Sequence, residues 1–124
     1  MRILLDTHLL LWTLATPERI PARARRLIEQ AEVYISAASI WEIAIKVALG
    51  KLQADPALIA EQVEPAGFLH LPVTGWHAAE VTRLPPLHRD PFDRLLIAQA
   101  MTEPLVLLTN DGQLPPYGKF VTLA

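Results

Sequence analysis

Apolar residues change their spacing several times along the chain, and each change marks an element. Ile3, Leu4 and Leu5 form an unbroken apolar run ending at Asp6. It is too short for a helix and suits a strand covered on both faces. From His8 to Ala15 the pattern is helical until Pro17 interrupts it. Pro21 is placed to open a second helix to about Glu32, since proline lacks nothing needed at a first helical position. Val33 to Ile35 reads as a second strand. Ser36 or Ser39 can cap a third helix running to Gly50, in which Ile40, Ile43, Ala44 and Val47 make a core stripe.

Asp55-Pro56 starts a further helix that Gly67 ends, and Phe68 to Leu71 reads as a third strand. Thr74 can cap a short helix through Arg83, after which Pro85 and Pro86 impose a loop. Asp90-Pro91 opens a helix that turns Leu96, Ile97, Ala100 and Met101 to the core, and Pro104 stops it. Leu105 to Leu108 and Phe120 to Leu123 supply a fourth and a fifth strand. Alternation of this kind predicts βαβ crossovers: an α/β fold whose roughly five-stranded, mostly parallel sheet carries helices on both faces. A chain of 124 residues encloses one core, and it has no repeat or linker, so residues 1–124 are expected to form a single domain.

Composition narrows the class. At 52% the apolar share lies slightly above the usual range, an excess that suits an oligomer or partner interface. No apolar run approaches the roughly 18 residues that span a bilayer, and Met1-Arg2-Ile3 leads into a strand without a signal-peptide pattern. A cytoplasmic protein without a membrane partner is expected. With 0 Cys there is no disulfide frame, thiol nucleophile or zinc finger. The net charge of −2 does not suit a protein that grips nucleic acid by bulk charge. If four of the 13 acids belong to one metal site, however, the remaining nine face 11 Lys and Arg. Arg19, Arg23 and Arg26 recur at helical spacing, either as a phosphate-binding row or as a solvated helix face.

The acids carry the chemistry. In open parallel sheets, ligands gather beyond the carboxyl ends of the strands. Asp6 directly follows the first strand, Glu42 lies in the opening turns after the second, Asp93 opens the helix before the fourth, and Asp111 follows the fourth. Two carboxylates about 4 Å apart repel by roughly 4 kcal/mol at an effective dielectric of 20, so such a cluster calls for a cation. Hard oxygen donors without His or Cys partners favour Mg²⁺ or Mn²⁺ over zinc, which suits phosphodiester hydrolysis. Each acid also has a plain structural use. Asp6 can cap the next helix, and Glu42 can close a capping box with Ser39 or pair with Lys46. Asp111 sits in the turn sequence Asn110-Asp111-Gly112. Asp90, just before Pro91, is the better cap, which leaves Asp93 for the site.

Four segments, Leu4-Leu5-Asp6-Thr7-His8, Ser39-Ile40-Trp41-Glu42, His88 through Ala100 and Leu107-Leu108-Thr109-Asn110-Asp111, resemble PIN-domain ribonucleases, the VapC toxins of type II toxin–antitoxin systems above all. The resemblance spans essentially the whole chain and is most specific from His88 to Ala100. It implies a three-layer α/β/α sandwich and Mg²⁺- or Mn²⁺-dependent cleavage of RNA. A homodimer and inhibition by a cognate antitoxin protein are implied as well. By that resemblance Asp6, Glu42, Asp93 and Asp111 occupy the family's acidic, catalytic positions; Asp6 and Asp93 are expected as principal metal ligands, Asp111 as a ligand that completes or supports the site, and Glu42 as a group that binds metal through water or orients the attacking water. Departures lie at the carboxyl end: Pro115 and Pro116 curtail any helix after Asp111, and Asn110 stands where a basic residue is often found.

Other residues leave alternatives. Thr7 and Thr109 suit metal-bound water and phosphate as well as capping or turn bonding. Arg94 suits a phosphate or a neighbouring acid. His8, His70, His77 and His88 lack a ligand spacing, and Trp12, Trp41 and Trp76 suit core or interface better than base stacking. A phosphotransferase using Asp6 as nucleophile needs a second Asp where His8 stands. A catalytically silent binding module, whose acidic pocket receives basic side chains of a partner, is the rival from another class.

Overall fold

In a computed structural model that describes all residues 1–124, the side chains of the first strand alternate between two cores. Ile3 and Leu5 enter one core and Leu4 the other, all three fully buried. The unbroken apolar run therefore reflects burial on both faces. Strands β1 (Arg2–Leu5), β2 (Glu32–Ser36), β3 (Leu69–Leu71), β4 (Val106–Thr109) and β5 (Val121–Leu123) form one sheet in the order β3-β2-β1-β4-β5. Every pairing is parallel, so the sheet is wholly parallel rather than mostly so.

Six α-helices cover the sheet. Helices α1 (Thr7–Ala15), α2 (Ala22–Gln30), α3 (Ala37–Ala48) and α4 (Pro56–Gln62) place Leu9, Leu10, Ala24, Ile28, Ile43 and Ile59 in the first core. Helices α5 (Gly75–Glu80) and α6 (Pro91–Thr102) belong to the opposite side, where Leu96, Ile97 and Ala100 meet Leu4 and Leu107. The layers are α/β/α. No helix is long and apolar enough to cross a membrane.

Local chemistry explains the helix starts. Asp6, Ser36, Asp55, Thr74 and Asp90 each accept a backbone N–H from the first turn of the helix that follows. Of the two serines before α3 it is Ser36 that caps, which moves Ser39 inside the first turn and buries it. The Ser39–Glu42 capping box is thereby overturned, because Glu42 now lies a full turn into the helix. Helix α2 begins one residue after Pro21 and ends at Gln30, freeing Glu32 for β2. The helix expected from Thr74 to Arg83 divides into α5 and a 3₁₀ turn, Val81–Arg83.

Three further expectations change. Arg19 sits in its own 3₁₀ turn (Pro17–Arg19), so it shares no helix face with Arg23 and Arg26; its guanidinium lies 4.6 Å from the Trp12 ring centre. Met101 is 43% exposed, because the buried stretch of α6 ends at Ala100. Trp41 and Trp76 are 58% and 83% exposed and belong to no core.

The strand order places the functional edge. The chain leaves β1 toward β2 on one side, whereas β4 returns on the other, so the sheet's topological switch lies beside the end of β1. The Asp6 N–H continues the ladder by donating to Leu108 O at 3.0 Å. Between β4 and β5 the connection holds no α-helix, only the 3₁₀ turn Pro115–Tyr117. The prolines there remove the N–H groups that a helix would need.

Candidate active site

Beyond the carboxyl ends of β1 and β4 lies a pocket of about 110 Å³ lined by Asp6, Thr7, His8, Glu42, Lys46, Asp90, Asp93 and Asp111. None of the eight is hydrophobic. All four acids singled out in the sequence therefore reach one place, together with Asp90. They come from different elements: the β1–α1 junction, the second turn of α3, the first turn of α6 and the turn after β4.

Asp6 is both cap and pocket residue. Its Oδ1 accepts the Leu9 N–H at 2.9 Å, and its Oδ2 accepts the Thr109 hydroxyl. Burial raises its pKa above the ordinary carboxylate value, while the Thr109 and Leu9 bonds work against that rise. Thr109 also links two acids, because its oxygen accepts the Asp111 N–H at 3.0 Å. Asp111 Oδ1 in turn accepts the Gln113 N–H at 2.8 Å, so this acid does make the expected turn while facing the pocket.

Glu42 is buried with both oxygens engaged. Oε1 accepts the Thr7 hydroxyl at 2.7 Å, and Oε2 pairs with Lys46 Nζ at 2.6 Å one turn along the helix. That bond is the main cause of the raised pKa of Lys46, which keeps its charge. Ser39 Oγ lies 3.1 Å from Thr7 Oγ1, whose single proton goes to Glu42. Thr7 and Thr109 both give their hydroxyl protons to carboxylates within the protein.

Asp93 has the clearest electrostatic signature. Burial, then the charge of Asp90, push its pKa up to about 6, against the pull of His88. His88 Nε2 lies 3.3 Å from Asp93 Oδ2. Asp90 Oδ1 caps α6 through the Phe92 and Asp93 N–H groups at 2.9 and 3.0 Å. The division between the two acids follows from Pro91: with no N–H at the first helical position, Asp90 turns to the next two.

Arg94 pairs with no acid, the second of its two expected roles. Its guanidinium donates to Pro85 O, Val81 O, His88 O and the Tyr117 hydroxyl, so it fastens the loop before α6. Two pocket residues carried no catalytic expectation in the sequence, Lys46 and His8, and His88 reaches the site only through Asp93. Lys46 was legible only as the i+4 partner of Glu42, and His88 had no periodic signal at all.

The donor set suits a hard divalent cation: five carboxylates with no thiolate or apolar residue, although His8 also lines the pocket, against the expectation of a site without histidine. In the present rotamers no three of these side chains converge closely enough to surround an ion. Hydrogen bonds within the protein hold Asp6 and Glu42 by both oxygens. Asp93 and Asp111 each keep one carboxylate oxygen free of them.

The PIN domain model matches residues 3–119. Ribonuclease VapC22 of Mycobacterium tuberculosis is 34% identical to this chain over 120 residues, covering 90% of this chain and 88% of its own length. Among solved structures, VapBC2 from Rickettsia felis bound to a promoter DNA fragment superposes with a TM-score of 0.70 at 13% identity, covering 100% of this chain and 98% of that one. FitAcB from Neisseria gonorrhoeae gives 0.60 at 21% identity, over 88% and 87% of the two chains. Those two likenesses concern the fold alone. With the domain model running through β1 to the 3₁₀ turn before β5 and a curated relative matched along nearly its whole length, the chain belongs to the PIN-domain family, in its VapC branch.

Proposed function

We propose that this protein is a divalent-metal-dependent endoribonuclease and the toxin member of a type II toxin–antitoxin pair. The observation that carries the reading is the pocket at the switch point, where five carboxylates share 110 Å³ with no apolar lining. The likeness to a relative named as a ribonuclease supports RNA as substrate. Asp6, Asp93 and Asp111 would hold Mg²⁺ or Mn²⁺ after side-chain rotation, and Glu42 would join them through water or orient the attacking water. When bound, the ion supplies charge neutralisation at the phosphate and a more acidic water.

The chain's own groups do the rest. Thr109 and the Leu9 N–H fix Asp6, and Thr7 fixes Glu42 where it can orient a water in line with the scissile bond. Lys46 balances Glu42 and offers a positive charge to an incoming phosphate. Cleavage takes place in the cytoplasm. A homodimer uses exposed apolar surface such as that of Trp41 and Trp76. An antitoxin polypeptide restrains the enzyme, a reading favoured by neighbours described as VapBC complexes.

Purified protein incubated with RNA should cleave it with Mg²⁺ or Mn²⁺, stop on chelation, and lose at least about 100-fold in rate as Asp6→Asn or Asp93→Asn. Activity that survives both chelation and substitution overturns the mechanism. Two observations favour a second reading, a silent binding module: Lys46 already neutralises Glu42, and no three acids converge. Partner binding without metal-dependent cleavage, in the same preparation, would decide for it.

A further inference from the structure

His88 stands at the middle of a hydrogen-bonded chain that runs from Arg94 to Asp93. Arg94 Nη1 donates to the Tyr117 hydroxyl at 3.1 Å, and that hydroxyl lies 2.6 Å from His88 Nδ1. Nε2 of the same ring faces Asp93 Oδ2 at 3.3 Å. The direction of the chain follows from chemistry. A guanidinium has no acceptor, so the Tyr117 oxygen must accept from it, which leaves the phenol O–H to donate to Nδ1. A neutral His88 then carries its proton on Nε2 and donates to Asp93; the other tautomer would turn a lone pair onto a carboxylate.

Packing holds each member of the chain in place. The His88 side chain is about 10% exposed. Its ring meets that of Tyr117 edge-on, with centres 5.4 Å apart at 66°. Tyr117 belongs to the 3₁₀ turn of the β4–β5 connection, the segment that also carries Asp111. Arg94 anchors the far end on three carbonyls, those of Pro85, Val81 and His88.

We infer that His88, held by Tyr117 and Arg94, is a positioning residue that orients Asp93 for metal binding and ties the Asp111-bearing connection to the start of α6. The inference rests on the metal reading above. A ligating group depends on the partner that fixes its orientation, and loss of such a partner commonly weakens metal affinity by about 10- to 100-fold. One oxygen of Asp93 is engaged by His88 while the other is free of protein hydrogen bonds. That arrangement leaves Oδ1 unpaired on a residue that lines the pocket.

The test measures Mn²⁺ binding directly, by the loss of the free-ion electron paramagnetic resonance signal, on the full chain without RNA. Wild type, Asp93→Asn, His88→Ala, His88→Gln and Tyr117→Phe are compared, each with its melting temperature in chelator. The expected result is loss of binding in Asp93→Asn and about 10- to 100-fold weaker binding in His88→Ala and Tyr117→Phe. His88→Gln, whose amide N–H can reach the position of Nε2, should recover most of the affinity. Unchanged affinity in both His88→Ala and Tyr117→Phe, with Asp93→Asn inactive in binding, overturns the positioning role and leaves the metal reading intact. Binding unaffected by Asp93→Asn, or absent from the wild type, overturns that reading and this inference together. Should His88→Ala fail to fold, Tyr117→Phe removes one hydroxyl and decides alone.

Discussion

The Thr109 hydroxyl donates to the Asp6 carboxylate across 103 positions of sequence, while its oxygen accepts the Asp111 N–H at 3.0 Å. Parallel pairing of β1 with β4 makes this possible, because Leu5 and Leu108 lie in register and the next residue of each strand emerges at the same edge. Thr109→Val keeps the shape and removes both bonds. Stability in chelator should fall by about 1–3 kcal/mol in urea denaturation, since a buried carboxylate loses its donor. Thr109→Ser should restore most of it. A Val variant as stable as wild type would show that the hydroxyl contributes nothing to the edge.

Asp93 sets a pH dependence of definite sign. Its folded pKa is pushed up to about 6 from the ordinary 3.8, so between those values the folded chain binds the proton more tightly than the unfolded one. Stability contributed by this group is therefore present below about pH 4 and lost as pH rises through 6. Buried Asp6, raised for the same reason, adds in the same direction. In chelator, Asp93→Asn should be more stable than wild type at pH 8 by on the order of 2 kcal/mol, and the difference should vanish by pH 4. Thermal melts across that range check both the size and the sign.

Lys46 and Glu42 share one charge-assisted bond at 2.6 Å, with the lysine partly in solvent and the glutamate buried. Lys46→Met removes the counter-ion and leaves a buried carboxylate exposed to its neighbours' charge. Metal-free stability should drop by roughly 1–3 kcal/mol, and added Mn²⁺ should raise the melting temperature more in the variant than in wild type. An equal rise in both would place Glu42 outside the reach of the ion.

Arg94 distinguishes a clamp from a phosphate ligand. Four acceptors from three separate segments converge on one planar guanidinium. Arg94→Lys offers only three donors on a point charge, so a loss of about 2–3 kcal/mol is expected. The dependence of RNA binding on salt should keep its slope, because no phosphate contact is removed. A slope reduced by about 1 would assign the arginine to the substrate instead.

Local chemistry made much of this molecule legible in the sequence. Period changes revealed the strands, and Asp55, Thr74 and Asp90 announced their helices, because capping and proline geometry act over three or four residues. The assignment of the cap to Asp90 belongs here too, since it follows from Pro91, although Asp90 lines the pocket beside Asp93 as well. So does the absence of a helix after Asp111, dictated by Pro115 and Pro116.

Long-range packing decided the rest. Ser36 rather than Ser39 caps α3, which releases Glu42 from a local bond and lets it meet Thr7, 35 positions away. Thr109 finds Asp6 only once β4 lies beside β1, and His88 finds Tyr117 only once the β4–β5 connection folds over α6. Arg94 looked like a ligand for anions because an arginine beside acids carries no sign of the carbonyls that will surround it. Which acids, hydroxyls and caps exist is a matter of covalent sequence and short-range geometry; which of them touch depends on strand order, and strand order is settled by burying two apolar faces at once.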